Sequence, residues 1–192
     1  MDSALIAKQL GGVLADTYSL LLKTQNYHWN VTGPNFHSLH EMFEEQYTEL
    51  FMAVDEIAER IRKLGHPSPG SFADFAKLAS IPEAKSGIDS NGMVADLLAS
   101  HKSVLDRVHA CAHVADEQDD EGTEDLMTQR IEAHQKAVWM LSATMGGSMA
   151  TTQKAASPPV AEVKKAKNNK PAAKAEKPAS KADKKKAPKA LG

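Results

Sequence analysis

From Phe43 to Leu64 the apolar residues advance in alternating steps of four and three: Phe43, Tyr47, Leu50, Val54, Ile57, Ile61, Leu64. A strand alternates every two residues and a loop keeps no period. This run therefore predicts a helix with one apolar seam, built to pack against other helices. Phe36 extends the pattern upstream, Asn35 suits the N-cap, and Gly65 with Pro67 closes the far end.

The same period predicts three more long helices. Ser3 to about Asn30 carries Leu10, Leu14, Tyr18, Leu21 and Leu22, with Asp2 or Ser3 as cap. About Gly92 to Ala115 carries Val94, Leu97, Leu98, His101, Val104, Leu105 and Val108. A last helix, with Thr123 as its expected cap, carries Met127, Ile131, His134, Val138, Leu141 and Met145 before Gly146-Gly147 stops it. Ser71 to Ala79 is expected to form a short helix in the connection between the second and third. With no strand-like alternation, the predicted class is all-α, a four-helix bundle.

The second helix carries more than its seam. At about 100° per residue, His40, Glu44, Asp55 and Glu59 fall within one stripe about 100° wide, about 110° from the apolar seam. All four are good ligands for a divalent metal. Yet Glu44 and Asp55 are about 16 Å apart along the axis, so one ion cannot touch both ends. Such half-sites complete each other only across a two-fold axis, with His40 and Glu44 of one copy facing Asp55 and Glu59 of another. His28 precedes the Gly33-Pro34 turn, which can fold it back beside His40. Two imidazoles and three carboxylates suit iron, and carboxylates favour the harder Fe(III) product. Cys111 is the lone cysteine, which argues against a structural zinc site or an iron–sulfur cluster. Taken alone, an i,i+4 His-Glu pair is an ordinary solvated face.

The charge is divided along the chain. Residues 1–149 hold 11 Lys and Arg against 22 Asp and Glu, whereas residues 150–192 hold 12 Lys against 3 acids, so a net of −2 conceals an acidic body and a basic tail. The tail also contains 12 Ala and 5 Pro and no aromatic residue. It cannot bury enough apolar surface to offset its ordering entropy, and is expected to be disordered. The predicted boundaries are thus a folded domain over 1–149 and a cationic tail over 150–192. One cysteine allows no intrachain disulfide and suggests a reducing compartment. No apolar run approaches the ~18–20 residues that span a bilayer, and the N-terminus has no secretory pattern. The expected location is the cytoplasm.

The run His28-Trp29-Asn30-Val31-Thr32-Gly33-Pro34-Asn35-Phe36-His37-Ser38-Leu39-His40-Glu41-Met42-Phe43-Glu44, followed by Asp55-Glu56-Ile57-Ala58-Glu59-Arg60, resembles the ferroxidase signature of the Dps mini-ferritins, DNA-binding proteins from starved cells. Leu64-Gly65-His66-Pro67, Thr123-Glu124-Asp125-Leu126 and Trp139-Met140-Leu141 extend the likeness, which covers about residues 1–148. The resemblance implies a ferritin-like bundle assembled as a homododecamer. It also implies a di-iron site at each two-fold interface, with His28, His40 and Glu44 from one subunit and Asp55 and Glu59 from the other. The implied activity is oxidation of Fe2+, preferably by H2O2, with storage of ferric iron and nucleoid-associated binding of double-stranded DNA without sequence preference. Trp29 beside His28 is implied as an auxiliary acceptor of oxidising equivalents, or simply a packing aromatic. Asp120 and Asp125 are the candidates for acidic pores that draw Fe2+ inward. One departure stands out: the family most often has Asp where this chain has Glu44. The Glu-x-x-His pairs of an intra-bundle di-iron site are missing.

Lys154, Lys164, Lys165, Lys167, Lys170, Lys174, Lys177, Lys181, Lys184, Lys185, Lys186 and Lys189 form the expected DNA-binding tail. Their contacts would be salt-dependent through counterion release and strengthened by multivalency. Two other readings compete: an architectural DNA-compacting protein with a vestigial metal face, and an iron store whose tail never meets DNA. Elsewhere, His109 and His113 read as a surface pair around a partly buried Cys111, and His101 and His134 as satisfied core histidines.

Overall fold

The computed structural model describes residues 1–146. The tail and its twelve lysines lie outside the described residues. Five helices run in the order α1 (Ser3–Asn30), α2 (Phe36–Lys63), α3 (Phe72–Leu78), α4 (Ser90–Glu117) and α5 (Glu121–Thr144). Among the described residues there is no strand, and no helix is long and apolar enough to cross a membrane.

Local chemistry sets the helix ends. Asp2 accepts from the N–H groups of Ala4 and Leu5 at the start of α1, Ser71 accepts from Asp74 at α3, and Asp89 accepts from Gly92 at α4. Each satisfies donors that a helix N-terminus leaves free. Asn35 is the residue before α2 but makes no side-chain cap bond. The cap of α5 differs from the prediction: it is Asp120, and the helix begins at Glu121. Thr123 instead lies inside the first turn, fully buried, with its hydroxyl donating to Asp120.

The tight turn at Gly33, with φ of +104°, reverses the chain so that α1 and α2 lie antiparallel. Contacts of α1 with α4 pair Asp16 with Arg107 and Lys23 with Asp96, so these helices are also antiparallel. His101 meets His134 across α4 and α5, a third antiparallel pair. Helices α2 and α4 therefore run parallel and need the long connection that carries α3. This is the ferritin-like arrangement of four helices with one long crossover.

The core follows the four-three seams, with Leu10, Leu14, Phe43, Leu50, Ile57, Ile61, Leu97, Val104, Val108, Met127 and Leu141 all buried. Some expected seam members turn outward. Leu22 and Phe36 are each 46% exposed. Burial of this apolar area, at about 25 cal/mol per Å2, drives the assembly of the bundle.

Two polar features inside it escaped the sequence pattern. Lys23, fully enclosed, pairs with Asp96 at 2.9 Å and donates to Ser100 at 2.9 Å. Tyr27 donates to Asp96 at 2.8 Å, and Lys85 reaches the other carboxylate oxygen at 2.9 Å. Burial pushes the Asp96 carboxyl up, but hydrogen bonds from Lys85, Lys23 and Tyr27 outweigh it and hold the group below the usual range. The second feature is Arg130, whose guanidinium grips both oxygens of Glu49 and ties α5 to α2.

Candidate metal centre

His28 lies in the last turn of α1 and His40 in the first turns of α2, so the Gly33 reversal places them side by side. Their rings stack at 3.7 Å between centroids, 19° from parallel. The Nδ1 of His28 lies 2.8 Å from the His40 carbonyl oxygen, and the Nδ1 of His40 lies 2.9 Å from the His28 carbonyl oxygen. A carbonyl can only accept, so each Nδ1 carries the proton and donates. In the neutral tautomer this leaves each Nε2 with the free lone pair that a metal requires.

Glu44, one turn beyond His40, completes the group: one ligand atom from each of His28, His40 and Glu44 lies within 4.8 Å of the other two. Two ligands about 2.1 Å from one ion lie at most about 4.2 Å apart, so a small side-chain rotation closes the set. Tyr47 meets His28 edge-on at 5.2 Å, and Phe36 stacks on His40 at 5.1 Å. These aromatic walls restrict the rings, while Glu44 stays exposed. Partial burial and the Glu44 carboxylate together raise the Tyr47 hydroxyl above its ordinary value. The donor set of two open imidazoles and a carboxylate fits iron in its hard-to-borderline range.

Asp55 and Glu59 are not brought to this group. They lie further along α2, both exposed, and Glu59 pairs with Lys63 at 3.1 Å. Phe51 and Met52, 63% and 59% exposed, share their face. Large apolar side chains thus flank these two exposed carboxylates. Trp29 follows His28 but is 64% exposed, so its indole is not packed within the subunit.

The pore candidates separate. Asp125 is exposed and accepts from Gln129 at 2.9 Å. Asp120 is 5% exposed, and its carboxylate is taken up by Arg60, the Thr123 hydroxyl and the Thr123 N–H. Within the subunit, Asp120 thus serves as the cap of α5 and a link to α2, with three donors on its carboxylate. His109 and His113 are exposed. Cys111 between them is fully buried, more deeply than expected, and burial followed by the nearby Asp120 charge pushes its thiol up to about 12. His101 and His134 are core histidines, but they are not fully satisfied: Nδ1 meets Nδ1 at 3.0 Å, and neither Nε2 has a partner.

Comparison with known proteins places this geometry among relatives. A ferritin-like domain model matches residues 7–147. The DNA protection during starvation protein of Brevibacillus brevis is 38% identical over 139 residues, which cover 72% of this chain and 93% of that protein. An uncharacterized low temperature-induced protein of Nostoc sp. is 42% identical over 138 residues, 70% of this chain and 76% of its own. The crystal structure of a Dps protein from Vibrio cholerae O1, described as a member of a broad superfamily of ferritin-like diiron-carboxylate proteins, superposes with a TM-score of 0.72. It is 36% identical and covers 74% of this chain and 90% of its own.

Proposed function

The chain belongs to the Dps branch of the ferritin-like proteins, and from that premise we propose that it is a DNA-protecting mini-ferritin that oxidises Fe2+ at sites shared between two subunits of a dodecamer. The observation that carries this reading is the reciprocal pair of His28 and His40, whose Nε2 atoms are both left open beside Glu44. The family supplies the expectation of iron chemistry; the reciprocal hydrogen bonds supply the ligand state.

In this reading His28, His40 and Glu44 of one subunit hold substrate iron together with Asp55 and Glu59 of a second. The apolar pair Phe51 and Met52 supports a covered face at that position. The Nδ1–H bonds to main-chain carbonyls fix both rings before iron arrives, so little is lost on ordering them. The carboxylates neutralise the growing charge as each Fe2+ gives up one electron. H2O2 takes both electrons and two protons and leaves as two molecules of water, so no hydroxyl radical is released. Asp125, exposed at the start of α5, is the candidate for drawing Fe2+ toward the interior by its negative potential.

The lysines of residues 150–192 form the proposed DNA-binding arm of the same protein. Twelve arms on one shell would make weak phosphate contacts cooperative, and the binding steeply salt-dependent. Native mass measurement on iron-loaded protein tests the whole reading: a twelve-subunit particle with a ferric core is expected. Saturable oxidation of Fe2+ by H2O2 that persists in a chain lacking Ala150–Gly192, together with loss of its DNA gel shift, is the accompanying result. A particle that shifts DNA but takes up no iron would favour the purely architectural reading.

A further inference from the structure

Among the described residues, the buried side-chain nitrogens and oxygens without a hydrogen-bond partner are Gln46 Nε2 and Oε1, His101 Nε2, Arg130 Nε and His134 Nε2. They are not scattered. His101 and His134 are joined through their Nδ1 atoms, and Arg130 lies one turn before His134 on α5. Arg130 binds Glu49, and Gln46 lies one turn before Glu49 on α2. Because α2 and α5 run antiparallel, Gln46 is level with His134. The four residues, 8%, 2%, 4% and 1% exposed in the order Gln46, His101, Arg130, His134, lie at about one level of the bundle on α2, α4 and α5.

Five orphaned buried atoms would consume much of the net stability of a domain, so a ligand is implied. Its chemistry follows from the groups. A bond between two Nδ1 atoms needs one protonated and one bare nitrogen. The donating ring therefore presents a bare Nε2, and the accepting ring presents an Nε2–H. With the Arg130 Nε–H and the Gln46 amide, these groups offer both donors and acceptors, none of them hydrogen-bonded to another. A cation is disfavoured by the Arg130 guanidinium beside both imidazoles. An anion is disfavoured because that guanidinium is already neutralised by Glu49. A small neutral molecule that both donates and accepts fits, and water is the one always present.

We propose that the centre of the bundle is an internal hydration site, in which ordered water bridges Gln46, Arg130, His101 and His134 and so joins α2, α4 and α5 in one network. The site is separate from the His28–His40 group and does not depend on iron. It makes Gln46 the residue whose removal reads the network. Replacing a bare, unsatisfied amide by the similar-sized apolar Met would raise stability, whereas replacing a water-bridged one orphans its neighbours and lowers it.

High-resolution crystallography of the full chain, with thermal unfolding of Gln46→Met beside wild type, tests this. Water density about 2.7–3.2 Å from the orphaned atoms, with a Tm lowered by about 2–4 °C in the variant, is the expected result. A dry centre with the side chains bonded directly to one another, an anomalous metal signal there, or a Tm unchanged or raised overturns it.

Discussion

His28 and His40 orient each other: each imidazole donates from Nδ1 to the main-chain carbonyl of the other residue, at 2.8 and 2.9 Å. The pair therefore fixes its own tautomers with no carboxylate support, and the reversal between α1 and α2 is held by the same bonds that prepare the ligands. Substituting either histidine removes a ligand and that ring's own Nδ1–H bond to the other residue's main-chain carbonyl. His28→Ala or His40→Ala is expected to lower the rate of Fe2+ oxidation by at least about tenfold, measured as Fe(III) absorbance after H2O2 addition. A wild-type rate in the double variant would remove these residues from the site.

The proposed division of the site between subunits predicts complementation. A His28→Ala/His40→Ala chain and an Asp55→Asn/Glu59→Gln chain are each expected to be inactive. Co-expressed and randomly assembled, they restore about one quarter of the sites, because an intact site then draws its histidines from one variant and its acids from the other. Ferroxidation by the mixed shell that stays at the level of the separate variants would place all five ligands in one chain.

Glu44 is longer by one methylene than the aspartate usual in the family. Glu44→Asp is expected to keep oxidation within about tenfold of wild type while shifting Fe2+ affinity, since a carboxylate remains in reach. Glu44→Ala loses at least about tenfold. Fe2+ titration of the two variants side by side distinguishes reach from charge.

Asp120 and Asp125 should part company. Asp120→Asn leaves Arg60 without its buried partner charge and is expected to cost about 2–4 kcal/mol in denaturant unfolding. Asp125→Asn, at an exposed position, is expected to leave unfolding unchanged and to slow iron uptake. Equal effects of the two on uptake, with no loss of stability in either, would restore Asp120 as a pore residue.

Acid sensitivity follows from the buried histidines. Burial, then the neighbouring Arg130, pushes His101 down to about 3; burial, His101 and Arg130 hold His134 well below its ordinary value. In the unfolded chain both titrate near about 6.5. Below that value the unfolded state binds more protons than the native one, so stability rises with pH and is lost as pH falls from about 6.5 toward about 3. Glu49, salt-bridged to Arg130 from α2, and the Lys23–Asp96 pair between α1 and α4 are the other charged groups at this level of the bundle. Urea midpoints recorded across that window should fall with acid, and the slope should flatten in His101→Leu/His134→Leu. An identical slope in the variant would assign the acid loss to other groups.

The helices were readable because their signals are local. The four-three steps of α2 place Phe43, Leu50, Ile57 and Ile61 on one side whatever surrounds them, and the observed bounds of α1 and α2 lie where Asp2, Asn30, Asn35 and Gly65 suggested. Thr123 misled because Asp120, three residues earlier, accepts from the Thr123 N–H and starts the helix sooner, and Arg60 on α2 binds the same carboxylate. Gln46 and Arg130 fall three residues after Phe43 and Met127 and four before Leu50 and His134, so the period turned them inward; their polarity, like that of Lys23 and Asp96, kept them out of the expected core. The enclosure of Lys23 and Arg130 depends on partners far along the chain, Asp96 for Lys23 and, 81 residues away, Glu49 for Arg130.

The sequence by itself determined the helical class and the spacing of the candidate ligands on α2, with Glu44 about 16 Å along the axis from Asp55, because period and rise along a helix are properties of one segment. The resemblance in the run from His28 to Glu44 named the family. Only the tertiary structure decided which imidazole nitrogens face outward, that Asp120 is buried and Asp125 is not, and that the middle of the bundle is polar. These are consequences of which helices meet and at what level, and that is fixed by packing between segments that the chain order alone does not bring together.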